Sequence, residues 1–186
     1  NWIAEVDIFD INLELTNNIS LKYGYKEIKN VNDINFQNYD LVCISSPTST
    51  HYEYLKLCLY HKVGLIICEK PISEEITELE ELNDVYKNGR SKVLINYFRR
   101  FQKTYLPIKS IIARINEKVS IIKIRYHRGI LNNASHAFDL INYLFEIELS
   151  FSDVVIKKKM HDFFKKDPTI TFDAIFRDTE IIIEGI

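Results

Sequence analysis

Cysteine is scarce in this chain, and its placement excludes several classes at once. Cys43, Cys58 and Cys68 are an odd number with no CxxC spacing of the metal-binding type. They fall in apolar strand or helix patterns, so the expectation is buried free thiols in a reducing cytoplasm. No apolar run approaches the ~20 residues that a membrane-spanning helix needs, and the first residues carry no cleavable signal pattern. Neither sign of charge dominates. With 24 basic and 26 acidic side chains the net charge is -2, which speaks against a nucleic-acid surface. Lys157-Lys158-Lys159 reads as a solvated strand or loop edge. Internal repeats and low-complexity linkers are missing, and no His/Asp/Glu cluster has metal-ligand spacing.

What is present is a chain built to fold. Across 186 residues, 46% hydrophobic content supports a packed core. Strands and helices alternate through the first half: a strand at Val6–Ile11, a helix at Leu13–Tyr23 closed by Gly24, and a short strand at Tyr25–Ile28. Leu41–Ser45 is a near-continuous apolar run, the pattern of a parallel strand buried on both faces. Ser46-Pro47-Thr48-Ser49-Thr50 supplies a loop and a helix cap. A helix with Tyr54, Leu55, Cys58 and Leu59 follows, then a strand at Val63–Cys68. Ser73 caps a helix bearing Ile76, Leu79, Leu82 and Val85, and Val93–Phe98 is the next strand. Such alternation predicts an α/β fold with a doubly wound parallel sheet of Rossmann type.

The second half changes rhythm. After a helix at Ile108–Ile115, the residues Ile122, Ile124 and Tyr126 alternate with Lys123, Arg125 and His127, the period of a sheet with one solvated face. A helix at Ala137–Phe145 and strands at Val154–Lys159, Ile170–Phe176 and Glu180–Ile183 follow. This predicts part of an α+β domain with a mostly antiparallel sheet. The boundary is placed at Phe98–Gln102, giving a dinucleotide-binding domain over 1–98 and a partial C-terminal domain over 99–186.

The segment richest in chemistry is Ile66-Ile67-Cys68-Glu69-Lys70-Pro71-Ile72-Ser73. An apolar strand ends in a carboxylate, an amine and a proline, at the strand end where α/β proteins bind ligands. Proline turns the backbone there, and it lowers the cost of a cis peptide to roughly 0.5–1 kcal/mol. A cis Lys70-Pro71 bond is therefore expected. The plainer alternative is a strand-to-helix turn whose polar residues face water.

Asp10 ends the first strand as the ribose-binding acid of a dinucleotide site would. No arginine follows to meet a 2'-phosphate, so NAD is favoured over NADP. The alternative for Asp10 is the cap of the helix starting at Leu13. A glycine-rich phosphate loop belongs ~20 residues before that acid, and counting back runs off Asn1. The natural protein is accordingly expected to be longer at both ends.

Four motifs resemble those of the Gfo/Idh/MocA oxidoreductases. They are Val42-Cys43-Ile44-Ser45-Ser46-Pro47-Thr48-Ser49-Thr50-His51, Ile67-Cys68-Glu69-Lys70-Pro71, Asn96-Tyr97-Phe98-Arg99-Arg100-Phe101 and Ser135-His136-Ala137-Phe138-Asp139-Leu140. The likeness runs from about Glu5 to Phe145, with the motifs in the family's order. It implies NAD(P)-dependent oxidation or reduction of a sugar, cyclitol or nucleotide-sugar hydroxyl. It also implies a homodimer or homotetramer through the C-terminal sheet. On this resemblance, cofactor binding falls to Asp10, Ser45, Ser46, Pro47, His51, Glu69, Lys70, Pro71 and Arg99.

Alcohol oxidation needs a proton acceptor and donors that hold the oxygen. Lys70 suits the second task and His136 the first, because imidazole titrates near neutrality. The alternative for His136 is a helix-start residue satisfied by backbone. Asp139, one turn on, either orients the ring or substrate or is a first-turn acid favoured by the helix dipole. Many family members place an aspartate four residues before the histidine. Here Asn132 stands there, followed by Asn133 as a substrate-binding candidate. Asparagine can bond a hydroxyl but cannot take its proton. Either His136 carries the proton alone, or the chain is a non-catalytic nucleotide-binding scaffold or regulator of the same fold. Hydride transfer needs no metal.

Overall fold

A computed structural model describes residues 5–115 and 119–186. The first four positions of the expected 1–98 domain lie outside the described residues. The chain divides into two compact units, Asn1–Cys68 with Ile76–Leu94, and Glu69–Glu75 with Ile95–Ile186. The expected division into consecutive stretches differs from this: Glu69, Lys70 and Pro71 pack with the second half of the chain.

In the first unit, β1 (Asp7–Ile8) pairs in parallel with β2 (Lys26–Glu27). Between them runs α1 (Leu13–Tyr23), started by the Asn12 side chain, which accepts from the Leu15 N–H at 3.1 Å. Gly24 ends it at φ 73°, a left-handed position that glycine adopts without a Cβ clash. The second sheet is β3 (Leu41–Ile44), β4 (Leu65–Glu69) and β5 (Lys92–Asn96), in that order, with β3 and β4 parallel. Helix α2 (His51–Tyr60) buries Leu55, Cys58 and Leu59, and α3 (Ile76–Lys87) buries Leu82. The helices are tied by Glu81, which accepts from Tyr52 and pairs with Lys56.

Three local expectations are corrected. Strand β3 is not buried on both faces. As an edge strand it exposes Leu41 and Cys43, so only Cys58 and Cys68 are buried thiols. Thr50 does not cap α2 with its side chain; its hydroxyl instead donates to Ser46 Oγ at 2.6 Å. Ser73 stands ahead of α3 and closes a turn by accepting from the Glu75 N–H at 2.9 Å.

In the second unit, α4 (Tyr105–Arg114) precedes β6 (Ile121–Tyr126), and α5 (Ser135–Phe145) precedes β7 (Ser152–Met160), β8 (Thr169–Phe176) and β9 (Thr179–Gly185). The sheet order is β6-β9-β8-β7, antiparallel except for the β6–β9 pair. Period-two alternation sets its faces. Ile124, Tyr126, Phe172, Ala174, Ile181 and Ile183 build one core with Ala134 and Ile141. On the opposite face Glu184 pairs with Lys123 at 2.5 Å and Arg125 at 3.0 Å. Rossmann-type parallel pairing followed by a mixed, mostly antiparallel sheet is the expected architecture.

The buried face of β9 should dominate stability in this unit. Ile181 is 0% exposed and Ile175 on β8 is 40% exposed. Ile181→Ala should cost about 3–5 kcal/mol, and Ile175→Ala about 1 kcal/mol or less. Urea unfolding followed by tryptophan-independent circular dichroism checks this, and equal losses would contradict the assigned faces.

Candidate functional site

Lys70 ends up beside the segment between β6 and α5. Its preceding peptide partner Glu69 accepts from Asn96 Nδ2, and the Lys70-Pro71 bond is cis, as expected. The Lys70 ammonium donates to the carbonyl of Asn132. Asn132 lies in a π-helical turn, Ile130–Ala134, that runs directly into α5. Four residues on, His136 follows on the first turn of that helix.

The turn is held from the segment 167–169. Gly129 N–H donates to Thr169 Oγ1 at 2.9 Å and Ile130 N–H to the Pro168 carbonyl at 3.0 Å. Leu131 N–H reaches Asp167 Oδ1 at 2.8 Å, and Asn132 N–H reaches Asp167 Oδ2 at 2.8 Å. The Asn132 side-chain amide adds a further bond to Oδ2 at 3.1 Å. Four successive donors at a helical start, which have no partners within the helix, are all satisfied. Asp167 is 0% exposed. Gly129 is required at φ 81°, because a Cβ there would lie 2.1 Å from Asp167 Oδ2. Asp167 also gives a physical reason for Asn132. A carboxylate at 132 would sit against a second buried carboxylate, and two such charges in contact resist joint ionisation.

His136 is 6% exposed, and its ring meets Tyr97 and Phe98 edge-on at centroid distances of 5.8 and 5.4 Å. Its Nδ1 is buried with no hydrogen-bond partner, so the backbone-satisfied alternative does not describe that nitrogen. Burial, then Lys70 and Arg99, push the His136 pKa down to about 4. The imidazole is therefore neutral at pH 7. Burial also lowers the Lys70 pKa, against the attraction of Glu69 and Asp167.

A cavity of about 290 Å³ is lined by Arg99, His127, Arg128, Asn132, Asn133, His136 and Phe164. Four of the residues named from sequence thus share one space: Arg99, Asn132, Asn133 and His136. Lys70 does not line it but reaches its wall through the Asn132 carbonyl. Arg99 touches Asn133 Oδ1 at 3.4 Å, and the Asn133 amide donates to the His127 carbonyl at 2.8 Å. Asp139 corrects an expectation. Both its oxygens are engaged by Arg100, one at 3.1 Å from Nε, and it does not line the cavity. Sequence reading missed Asp167, Arg128 and Phe164 and passed over His127. No local signal marked them: Arg128 closes a stretch that already holds Lys123, Arg125 and His127.

In the first unit, the Ser46 carbonyl meets buried His51 Nε2 at 2.7 Å. Ser45, Ser46 and Pro47 form the loop between β3 and the short 3-10 turn Thr48–Thr50 that leads into α2. Asp10 is exposed. One of its oxygens accepts from the Asn12 N–H at 2.8 Å, and Asn12 rather than Asp10 caps α1. The described residues contain no group of three or more potential metal ligands and no helix long and apolar enough to cross a membrane.

A family model described as an oxidoreductase family with an NAD-binding Rossmann fold, that of Gfo/Idh/MocA, matches residues 4–97. The chain belongs to the Gfo/Idh/MocA oxidoreductases. It is 25% identical over 157 residues to myo-inositol 2-dehydrogenase of Thermotoga maritima, covering 75% of this chain and 46% of that protein. Among solved structures, a myo-inositol dehydrogenase from Corynebacterium glutamicum aligns with TM-score 0.76 at 19% identity, over 97% of this chain and 60% of that one. An oxidoreductase from Agrobacterium radiobacter, solved with NAD+, L-tartaric acid and magnesium, aligns with TM-score 0.79 at 13% identity, over 96% and 57% respectively. At such identities the likeness establishes the fold. The chain spans 46% of its Thermotoga relative and 60% or less of these two structures.

Two measurements check the site. Asp167→Ala strands the Leu131 and Asn132 N–H groups and should cost about 2–6 kcal/mol, at about 1–3 kcal/mol for each buried unpaired donor. Asp167→Asn, which keeps one acceptor, should cost less; chemical denaturation that ranks them oppositely would refute this. For His136 the folded pKa of about 4 lies below the ordinary 6.5. Between these values the unfolded chain binds more protons, so this group's contribution to stability is complete above pH 6.5 and fades as pH falls towards 4. An NMR titration of the assigned His136 ring should show it neutral at pH 5.5, and a charged ring there would contradict the assignment.

Proposed function

We propose that the protein is an NAD(P)-dependent oxidoreductase that transfers a hydride between the nicotinamide cofactor and a sugar, cyclitol or nucleotide-sugar hydroxyl. The observation that carries this reading is the orphaned, buried Nδ1 of a neutral His136, one helical turn from the carbonyl that holds the Lys70 ammonium. A neutral imidazole accepts the hydroxyl proton. An ammonium with remaining donors stabilises the oxygen as its charge develops. Asn132 and Asn133 supply amides to orient substrate hydroxyls.

NAD, when bound, accepts or returns the hydride. The groups available to it fit. Asp10 presents an exposed carboxylate at the end of β1 for ribose hydroxyls, with no arginine after it for a 2'-phosphate. Ser45, Ser46, Pro47 and His51 would border the cofactor on the loop after β3, and Glu69, Lys70, Pro71 and Arg99 at the nicotinamide end. The solvated face of the β6-β9-β8-β7 sheet, with Ile121, Val155 and Ile175 exposed among its ion pairs, would make the homodimer or homotetramer contact. The protein would act in the cytoplasm. A second reading, a nucleotide-binding scaffold without catalysis, is favoured by one observation, the amide at 132 in place of a carboxylate.

The test uses the full-length protein. NADH fluorescence should titrate to saturation, and a sugar and cyclitol screen should find turnover. His136→Ala should keep NADH binding and lower kcat/KM about 10²–10⁴-fold, the range of a lost general base. Failure to bind NADH at millimolar concentration would sink the proposal. Turnover that disappears in Lys70→Ala would exclude the scaffold.

A further inference from the structure

The cavity beside His136 is unbalanced in charge. Two guanidinium groups, two imidazoles and two amides line it, and no carboxylate does. The acids close by are committed elsewhere. Asp139 is held by Arg100, and Asp167 by the N–H groups of Leu131 and Asn132. Asp162 accepts from the Arg128 N–H at 3.3 Å and from the Thr169 hydroxyl at 2.9 Å.

The two arginines, by contrast, form no ion pair among the described residues. Arg99 has its 3.4 Å contact with Asn133 Oδ1, and the Arg128 guanidinium lies over the Phe163 ring at 4.6 Å. Arg128 is also fixed from behind. Its backbone sits at φ 64°, a region that non-glycine residues seldom occupy and that functional sites often retain. The buried, unpartnered Nδ1 of His136 is a third, independent mark of a ligand. Its pKa is depressed first by burial and then by the positive charges of Lys70 and Arg99.

Resting on the oxidoreductase reading above, we propose that the substrate is anionic: a monosaccharide-sized polyol bearing a carboxylate or phosphate, gripped by Arg99 and Arg128 while a hydroxyl faces His136. Guanidinium groups match either acid group through paired N–H donors. A neutral cyclitol would offer neither arginine an acid group to pair with. At about 290 Å³ the space lies at the small end of ligand cavities, which run from roughly 300 to 1,000 Å³, so a monosaccharide acid fits better than a whole nucleotide sugar.

The experiment is calorimetric titration of the full-length protein, without cofactor and at low ionic strength, with D-glucuronate, glucose 6-phosphate and glucose. At least one anion should bind tenfold or more tightly than glucose. Which anion wins separates carboxylate from phosphate. Arg128→Gln and Arg99→Gln should each cut the anion-to-glucose ratio about tenfold, with circular dichroism confirming the fold; two variants guard against one failing to fold. Glucose binding as tightly as both anions, or a ratio unchanged in both variants, overturns the proposal. NADH titration on the same sample judges the oxidoreductase reading separately. An intact anion preference without NADH binding upholds the anion site and removes the oxidoreductase; NADH binding without the preference does the reverse.

Discussion

A single carboxylate with no solvent contact, Asp167, holds the turn from which the candidate site is built. Burying a charge is costly unless it is hydrogen-bonded. Here two backbone N–H groups and one side-chain amide donate to it. The consequences run in both directions along the chain. Upstream, Gly129 must be glycine, because a side chain would enter the carboxylate. Downstream, the turn fixes the Asn132 carbonyl, which receives the Lys70 ammonium, and starts α5 so that His136 lies one turn further on. A lysine and a histidine 66 positions apart therefore share one compact unit because an aspartate from a third segment holds the ground between them.

Burial lowers the pKa of both groups, yet with different chemical results. For His136 the shift favours the neutral, proton-accepting form across the physiological range. A base whose conjugate acid has a pKa of about 4 is a weak proton acceptor, and a nearby anion would raise that pKa. Lys70 is affected less simply. Burial lowers its pKa while Glu69 and Asp167 favour the ammonium, and the Asn132 carbonyl, an acceptor, requires a donor in return. The outcome is an oriented cation beside a neutral base, the division of labour that alcohol oxidation requires.

The elements were legible wherever periodicity was strong. Alternation along Ile122–Tyr126 placed β6 and its buried face, and the apolar run Val63–Cys68 placed β4 to within two residues of its observed start. Lys70, Asn132 and His136 were found because motifs spaced along the chain carry them. Asp167 was not, for a physical reason. Lys165-Lys166-Asp167-Pro168 is, as local sequence, a polar turn with nothing to mark burial, and only the tertiary meeting with residues 129–132 gives the aspartate its role. Arg128 was hidden likewise, because it reads as one more polar residue at the end of an alternating strand. Asp139 shows the reverse failure. The i+3 spacing to His136 was right, but Arg100, from a segment 39 residues away, competes for the carboxylate and wins with a paired guanidinium.

The amide at position 132 bears on whether the site can work at all. Removing a carboxylate from a proton-handling set would normally leave Lys70 with less negative charge nearby and the base alone. In this chain the negative charge has not left the neighbourhood. Asp167 stands directly behind Asn132, bonded to its amide at 3.1 Å, and it is among the charges that favour the Lys70 ammonium. What the substitution removes is a titratable group facing the cavity; the electrostatic support for the lysine stays. On the proposed reading, proton transfer then falls to His136, whose buried Nδ1 has no hydrogen-bond partner among the described residues. An amide at 132 backed by a buried carboxylate is thus compatible with catalysis by Lys70 and His136, and it does not by itself require the scaffold reading.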